Sequence, residues 1–199
     1  LGGSIPCDPA RDTPEALHEF LHAHCSSKTL QAAIDFAYHD LIGKIRGIPT
    51  YQYYAAVPRT VENSVTVFIK DSIEKTQQET RRIFSNYPNL GLLKIKLKGE
   101  QDIERAKAIK AVAPAQAKFT LDANQGFQDP KEAVRALTEI IGILGHVTLV
   151  EEPCPKGELD KLAYVTSHLS VPVFADESAA TFSDVEEIVR TKAAHGVNI

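Results

Sequence analysis

The feature that most constrains the fold of this chain is a regular alternation from residue 65 onward. Short runs rich in β-branched residues alternate with longer stretches whose apolar residues recur at helical spacing. One strand and one helix together take about 25 to 30 residues, a repeat typical of parallel strands joined by crossover helices. The predicted strands are Val65 to Ile69, Leu92 to Leu97, Phe119 to Leu121, Val147 to Val150, Val171 to Phe174 and one that begins near Val197.

Helices are predicted between these strands, near residues 72–86, 101–112, 130–144, 157–168 and 183–194. A capping box from Ser183 to Glu186 is predicted to open the last of them. The repeat is compatible with a (β/α) barrel or with a doubly wound sheet. Because no Gly-x-Gly-x-x-Gly or Walker-type loop comes after a predicted strand, the pattern favours the barrel.

Residues 1–54 differ from the rest of the chain, because no strand is predicted among them. Thr13 and Pro14 are typical of a helix start, with a hydroxyl N-cap and a proline at the first helical position. A second predicted helix ends near Gly47. We therefore predict two domains, a helical unit over residues 1–54 and an α/β unit over residues 55–199.

Charge and composition argue against several classes of function. Lys and Arg total 22 against 26 Asp and Glu, and the net charge of -4 predicts no broad cationic surface for nucleic acid or anionic lipid. No apolar run approaches the roughly 20 residues that span a bilayer, and we expect a cytoplasmic location without a membrane partner. Three cysteines at irregular spacings favour neither a disulfide framework nor a zinc site. Because the first residue is not Met and the last lie in a predicted strand, we interpret the sequence as part of a longer protein.

Four ionisable residues lie at the ends of successive predicted strands: Lys96, Asp122, Glu151 and Asp176. They are separated by 26, 29 and 25 residues, one βα unit each time. Because barrel enzymes place their catalytic groups at the carboxyl ends of the strands, we expect these side chains to converge on one cavity. Carboxylate oxygens are the hard ligands that Mg²⁺ prefers. The spacing therefore predicts a metal site formed by the three carboxylates.

The strand that carries Lys96 also carries Lys94, and period-two alternation points both lysines to one face. Two crowded ammonium groups near a metal ion favour the loss of one proton, so that a lysine acts as a base near neutral pH. Removing a proton from the carbon beside a carboxylate forms an enediolate, whose charge a divalent ion stabilises. The pattern predicts proton abstraction with Lys96 and Lys94 as the catalytic pair.

Each of these features also has a simpler structural interpretation. A lysine pair at alternate positions is common on the solvent face of an edge strand. The segment from Asp122 to Gly126 is typical of a turn. Glu151-Glu152-Pro153 also fits a solvated strand end, and Asp176-Glu177-Ser178 also fits the approach to the next helix. Because all four residues recur at the same position of the βα repeat, the pattern favours one common site over four unrelated structural features.

The motifs at these strand ends resemble those of the enolase superfamily, in its muconate-cycloisomerase subgroup. They are Leu93-Lys94-Ile95-Lys96, Leu121-Asp122-Ala123-Asn124-Gln125-Gly126-Phe127, Val150-Glu151-Glu152-Pro153 and Ala175-Asp176-Glu177-Ser178. The segment from Ala33 to Leu41 resembles the helical end of that family's capping domain. Within the subgroup, the forms Asp-Ala-Asn-Gln-Gly and Ala-Asp-Glu-Ser are most similar to those of dipeptide epimerases.

The resemblance implies a (β/α)7β barrel, of which this chain holds the first six strands, and an α+β N-terminal capping domain, of which it holds the helical part. It implies that Mg²⁺ is bound by Asp122, Glu151 and Asp176, with Glu152 and Glu177 as neighbours of the ligands. Enolase-superfamily sites are already known to combine a lysine base with Mg²⁺, so this expectation applies known chemistry.

The resemblance also assigns roles to the lysines and a class to the substrate. Lys96 would be the base on one face of the substrate and Lys94 its electrostatic helper. A second base on the opposite face would be the residue directly after Ile199. The implied reaction is epimerisation at the α-carbon of a dipeptide such as L-Ala-L-Glu, or of an N-acyl amino acid. Because many members of the family are oligomeric, the resemblance also implies a homo-oligomer.

Three alternatives stay open at this point. Muconate cycloisomerisation and the o-succinylbenzoate synthase reaction would start from the same kind of intermediate. The alternative from a different class is a non-catalytic, metal-binding fragment that lacks the second base.

Overall fold

The computed structural model describes residues 13–53, 57 and 60–198, and it divides the chain into two compact units between Val61 and Glu62. This division falls a few residues after the predicted boundary. The assignment of residues 1–54 to a capping domain stays a prediction, and residues 1–12 lie outside the described part of the chain.

The first unit consists of helices in its described residues. They are α1 (Pro14–His24), α2 (Lys28–Arg46) and α3 (Thr50–Tyr53). The hydroxyl of Thr13 accepts a hydrogen bond from the Ala16 N–H at 3.3 Å, which confirms the predicted start of α1. Leu17 and Leu21 of α1 form a small buried cluster with Tyr38 and Ile42 of α2. The short helix α3 was not predicted.

The second unit is a parallel sheet of six strands that pair in chain order. The strands are β1 (Ser64–Val67), β2 (Leu92–Lys96), β3 (Lys118–Asp122), β4 (Val147–Glu151), β5 (Val173–Ala175) and β6 (Gly196–Val197). A helix comes after each of the first five strands, namely α4 (Ile73–Asn86), α5 (Asp102–Lys110), α6 (Pro130–Leu144), α7 (Leu159–His168) and α8 (Phe182–Thr191). The predicted α/β fold, a partial (β/α) barrel, is confirmed.

Alternation along the strands separates an apolar face of the sheet from a polar one. On β2, Leu93 and Ile95 are buried in the same core as Leu137 and Ile140 of α6. Residues of intermediate exposure occupy the positions between them on β2. The helices therefore cover one face, and the polar side chains of β2 to β4 gather on the other.

Helix α8 begins differently from the prediction, because the capping box lies two residues earlier. Thr181 is the N-cap: its hydroxyl accepts from the Asp184 N–H at 3.2 Å, and the Asp184 carboxylate accepts from the Thr181 N–H at 2.8 Å. The predicted box from Ser183 to Glu186 is wrong, since Ser183 already lies inside the first turn. The segments 181–184 and 183–186 both fit the sequence rule for a capping box. Thr181 is the N-cap because its backbone is extended, as an N-cap residue requires, whereas Ser183 is already helical.

Candidate functional site

Strand β2 brings Lys94 and Lys96 to one face of the sheet. The two ammonium nitrogens lie 3.0 and 2.8 Å from the same oxygen, Oδ2 of Asp122. Strand β2 pairs with β1 on one side and β3 on the other, so it is not an edge strand. The solvent-face interpretation of the lysine pair is therefore wrong, because only 19% and 26% of the two side chains are exposed.

The register of the parallel strands explains why these charges meet. Lys96 pairs with Asp122 on β3, and Asp122 pairs with Glu151 on β4. The three residues therefore stand side by side at the carboxyl ends of neighbouring strands, about 4.8 Å apart from strand to strand. Lys94 lies two residues before Lys96 on β2, and it forms an ion pair with Glu151 in addition to the one with Asp122. Its ammonium group thus bridges the carboxylates of Asp122 and Glu151.

The ion pairs and the burial shift the pKa values of this cluster in opposite directions. Burial alone would raise the pKa of Asp122, but hydrogen bonds from Lys96 and Lys94 outweigh it and hold the pKa below its ordinary value. Burial dominates at Glu151 and raises its pKa, assisted by repulsion from Asp122 and Asp176 and opposed by Lys94. Desolvation would lower the pKa of Lys94, but its bonds to Glu151 and Asp122 raise it. The lowered lysine pKa expected next to a bound metal ion stays a prediction.

The turn after β3 supplies a further contact. Asn124 and Gln125 both have left-handed backbone conformations, with φ of 43° and 63°. The Asn124 N–H donates to Asp122 Oδ1 at 3.1 Å, and its side-chain oxygen accepts from Lys96 at 2.8 Å. The turn interpretation of this segment is therefore confirmed, and the role of Asp122 as a metal ligand stays a prediction. The contact with Lys96 was not anticipated, although an Asn in the turn directly after a strand is a signal for it.

Asp176 is not level with Lys96, Asp122 and Glu151 in the register of the sheet. Glu151 pairs with Phe174 on β5, so Asp176 is two residues further along its strand direction. The Asp176 carboxylate still repels that of Glu151 and contributes to its raised pKa.

The donors match the chemistry of Mg²⁺, but the described residues contain no group of three or more His, Cys, Asp or Glu placed to hold one ion. Asp122, Glu151 and Asp176 offer only hard oxygen ligands, from three neighbouring strand ends. A cation, the ammonium group of Lys94, already bridges two of them. The donor set fits a divalent ion, and the assignment of these three residues as its ligands stays a prediction.

Comparison with known proteins identifies the family to which the fold belongs. Residues 77–199 match the family model for the Enolase C-terminal domain-like family.

The chain belongs to this enolase family.

Two curated relatives are epimerases by name. This enolase-family chain is 31% identical over 169 residues to the L-Ala-D/L-Glu epimerase of Clostridium acetobutylicum, a match that covers 85% of the chain and 47% of the relative. It is 31% identical over 186 residues to the hydrophobic dipeptide epimerase of Enterococcus faecalis, covering 93% of the chain and 51% of the relative. The chain thus spans about half the length of these curated relatives.

A solved structure extends the comparison to three dimensions. The crystal structure of the dipeptide epimerase from Enterococcus faecalis, complexed with Mg and the dipeptide L-Leu-L-Tyr, superposes with a TM-score of 0.83 at 31% identity. The match covers 94% of the enolase-family chain and 52% of that structure. The predicted resemblance to the enolase superfamily and its dipeptide epimerases is confirmed.

In the described residues, every helix is too short or too polar to cross a bilayer.

Proposed function

We propose that this chain carries the lysine base and the metal-binding carboxylates of an enzyme that epimerises the α-carbon of a dipeptide such as L-Ala-L-Glu. One observation carries the proposal: the amines of Lys94 and Lys96 meet the carboxylates of Asp122 and Glu151 at neighbouring strand ends. Amines and carboxylates at this rim of a parallel barrel are placed where such folds bind and transform substrates. The names of the relatives support the reaction class.

Lys96 would remove the proton from the α-carbon. Its ammonium nitrogen contacts one carboxylate, Asp122, and the neutral amide of Asn124. Asn124 and Asp122 thereby hold the Lys96 side chain in one direction, which orients a base toward a substrate bound over the strand ends. Lys94, behind it, would keep a positive charge beside the carbon that loses the proton.

Asp122, Glu151 and Asp176 would hold Mg²⁺. When bound, the ion would supply positive charge to the substrate carboxylate as negative charge develops on it. The protein's own contribution is to hold the carboxylates of Asp122 and Glu151 at the ends of paired strands, and the ion would take the place of the Lys94 ammonium group between them. Glu151 is 8% exposed and Asp122 is 2% exposed, so water competes weakly for these oxygens.

Deuterium exchange tests the proposal directly. The complete enzyme that contains this chain is incubated in D₂O with Mg²⁺ and a panel of dipeptides, and the α-proton signals are followed by NMR. Proton abstraction predicts loss of the α-proton signal of the epimerised residue and the appearance of a diastereomeric dipeptide. Unchanged α-proton signals across the panel would reject epimerisation, and turnover of a muconate or of the hydroxy acid that dehydrates to o-succinylbenzoate would instead favour one of the alternative reactions.

A further inference from the structure

Glu152 is buried directly beside the site, but its side chain turns away from the lysines. It is 1% exposed. Its Oε2 accepts hydrogen bonds from the backbone N–H of Asp176 at 2.7 Å and of Ser178 at 3.0 Å. Its Oε1 accepts the hydroxyl of Ser178 at 2.6 Å. One side chain from the end of β4 thus binds the loop after β5 at three points.

The backbone of Glu152 is held as firmly as its side chain. Its N–H donates to the Phe174 carbonyl at 2.9 Å, and its carbonyl accepts from the Gln125 N–H at 2.7 Å. Its φ of 34° lies in the left-handed region, which a residue other than glycine adopts only where its surroundings enforce it. This conformation directs two consecutive side chains to different partners. Glu151 forms an ion pair with Lys94, whereas Glu152 accepts hydrogen bonds from the loop after β5.

Asp176 depends on this contact because it lies beyond the strand. Strand β5 ends at Ala175, whose carbonyl accepts from Asn198 in the last bond of the ladder with β6. The N–H of Asp176 bonds to the side chain of Glu152 and not to a neighbouring strand. The N–H of Asp176 is therefore held by the carboxylate of Glu152, the residue directly after β4, while its carbonyl accepts from the Ala179 N–H at 2.9 Å within the same loop.

We infer that Glu152 is a positioning residue, which holds the segment 176–178 and so sets where the Asp176 carboxylate lies relative to Glu151. The inference rests on the proposed function, in which these two carboxylates bind Mg²⁺. It assigns to Glu152 no contact with the ion or the substrate. Its effect on metal binding passes through the backbone of Asp176.

Three substitutions at Glu152 distinguish the effect of side-chain length from the effect of its negative charge. Glu152→Ala removes all three bonds. Glu152→Asp keeps a carboxylate but is one methylene too short to reach the loop. Glu152→Gln keeps the reach, so that its carbonyl oxygen still accepts the two backbone N–H groups while its amide nitrogen faces the Ser178 hydroxyl, which also accepts hydrogen bonds.

A matched control is available at Asp102, another buried carboxylate that binds the loop before its own helix. Asp102 is 3% exposed and accepts from the N–H groups of Lys98 at 2.8 Å and Gly99 at 2.6 Å. It also forms an ion pair with Arg105 at 3.0 Å. Asp102→Ala removes a comparable set of bonds without touching Asp176.

The experiment measures Mg²⁺ affinity by isothermal titration calorimetry and the amide signals of Asp176 and Ser178 by ¹⁵N–¹H NMR, both on the 199-residue chain. Loss of an outer partner of a metal ligand typically weakens binding about 10- to 100-fold, and we expect this loss for Glu152→Ala and Glu152→Asp. Both variants should also shift the Asp176 amide signal. Glu152→Gln should bind Mg²⁺ within about threefold of wild type, and Asp102→Ala likewise.

The outcomes distinguish this inference from the proposed function. Wild-type chain that binds no Mg²⁺ overturns both. Wild-type binding with unchanged affinity in Glu152→Ala overturns the positioning role alone, as does a Glu152→Asp variant that binds normally while Glu152→Gln does not, since that pattern would show an effect of charge. If Glu152→Ala does not fold, the Asp and Gln variants still decide the question.

Discussion

Lys94 and Lys96 lie two residues apart and have different partners. Lys94 bridges two carboxylates, those of Asp122 and Glu151, whereas Lys96 contacts Asp122 and the amide of Asn124. A lysine shared by two carboxylates is held as a cation, because its bonds raise its pKa. This difference supports Lys96 as the base and Lys94 as the neighbouring positive charge.

Substitution of Lys96 tests this division of roles. Lys96→Ala is expected to lower the rate of α-proton exchange in D₂O by about 10²- to 10⁴-fold, the usual contribution of a general base. Mg²⁺ affinity should persist, because the carboxylates are untouched. The control is Lys98→Ala, an exposed lysine just after the same strand, which should change the rate by no more than about twofold. Equal losses in the two variants would contradict the assignment.

The opposite pKa shifts of Asp122 and Glu151 predict opposite effects of pH on the stability of the metal-free chain. The pKa of Asp122 is lowered from 3.8, so its stabilising contribution is present above that value and is lost as pH falls through the folded-state pKa. The pKa of Glu151 is raised from 4.5, so its ionisation destabilises the fold as pH rises above that value.

Urea unfolding in EDTA between about pH 3 and pH 7 measures both effects. The stability of wild type relative to Asp122→Asn should grow as the pH rises through the acid range. The stability of wild type relative to Glu151→Gln should decline as the pH rises above 4.5. Slopes of the same sign for the two carboxylates would show that their pKa values shift in the same direction.

At the scale of elements, the site is built by strand ends and by the turns directly after them. Parallel register places Lys96, Asp122 and Glu151 side by side, and the same register leaves Asp176 two residues further along. Helices contribute no side chain to the described cluster. Their role is to bury the opposite face of the sheet and to hold the strands in register.

The start of α8 offers a test of element boundaries. Thr181→Ala removes the N-cap hydroxyl from the capping box and is expected to lower the free energy of unfolding by about 1 kcal/mol. Ser183→Ala lies inside the first helical turn, where alanine is the better helix former, and should cause no loss. Chemical denaturation of the two variants gives both values. A larger loss for Ser183→Ala than for Thr181→Ala would favour the box from Ser183 to Glu186.

At the scale of the whole molecule, we expect the buried carboxylates of Asp122 and Glu151, with the half-buried Asp176 nearby, to make stability dependent on cations. Burial, assisted by repulsion from Asp122 and Asp176 and opposed by Lys94, raises the pKa of Glu151, so the ionised form of this carboxyl is disfavoured in the metal-free site. A divalent ion bound only by the folded chain would favour the ionised form. Metal binding and folding should therefore be coupled.

Thermal melting measures this coupling. Mg²⁺ at about 100 times its dissociation constant should stabilise the chain by about 2.7 kcal/mol. For a chain of this size the melting temperature should then rise by about 5 to 10 °C. NaCl at matched ionic strength and the Asp122→Asn variant with Mg²⁺ are the controls. An equal rise in either control would assign the effect to general screening and not to the predicted site.

The amino-acid sequence is enough to predict the order of the elements and the residues that end the strands. Period-two and helical spacing depend on neighbours in the chain, so the six strands are predicted to within a few residues, with Lys94, Lys96, Asp122 and Glu151 at one rim. Parallel strands bring their carboxyl ends to one edge whatever the details of packing. For that reason the convergence of these four side chains could be predicted, whereas the expectation that Asp176 joins them stays a prediction.

Which groups touch one another depends on the tertiary structure. The sharing of Lys94 between Asp122 and Glu151, the offset of Asp176 and the burial of Glu152 against the next loop all result from strand register and backbone conformation. The pattern Glu151-Glu152 leaves open which carboxylate faces the lysines, and a left-handed backbone at Glu152 resolves it. Contacts between residues distant in the chain arise from packing, and local spacing carries no record of them.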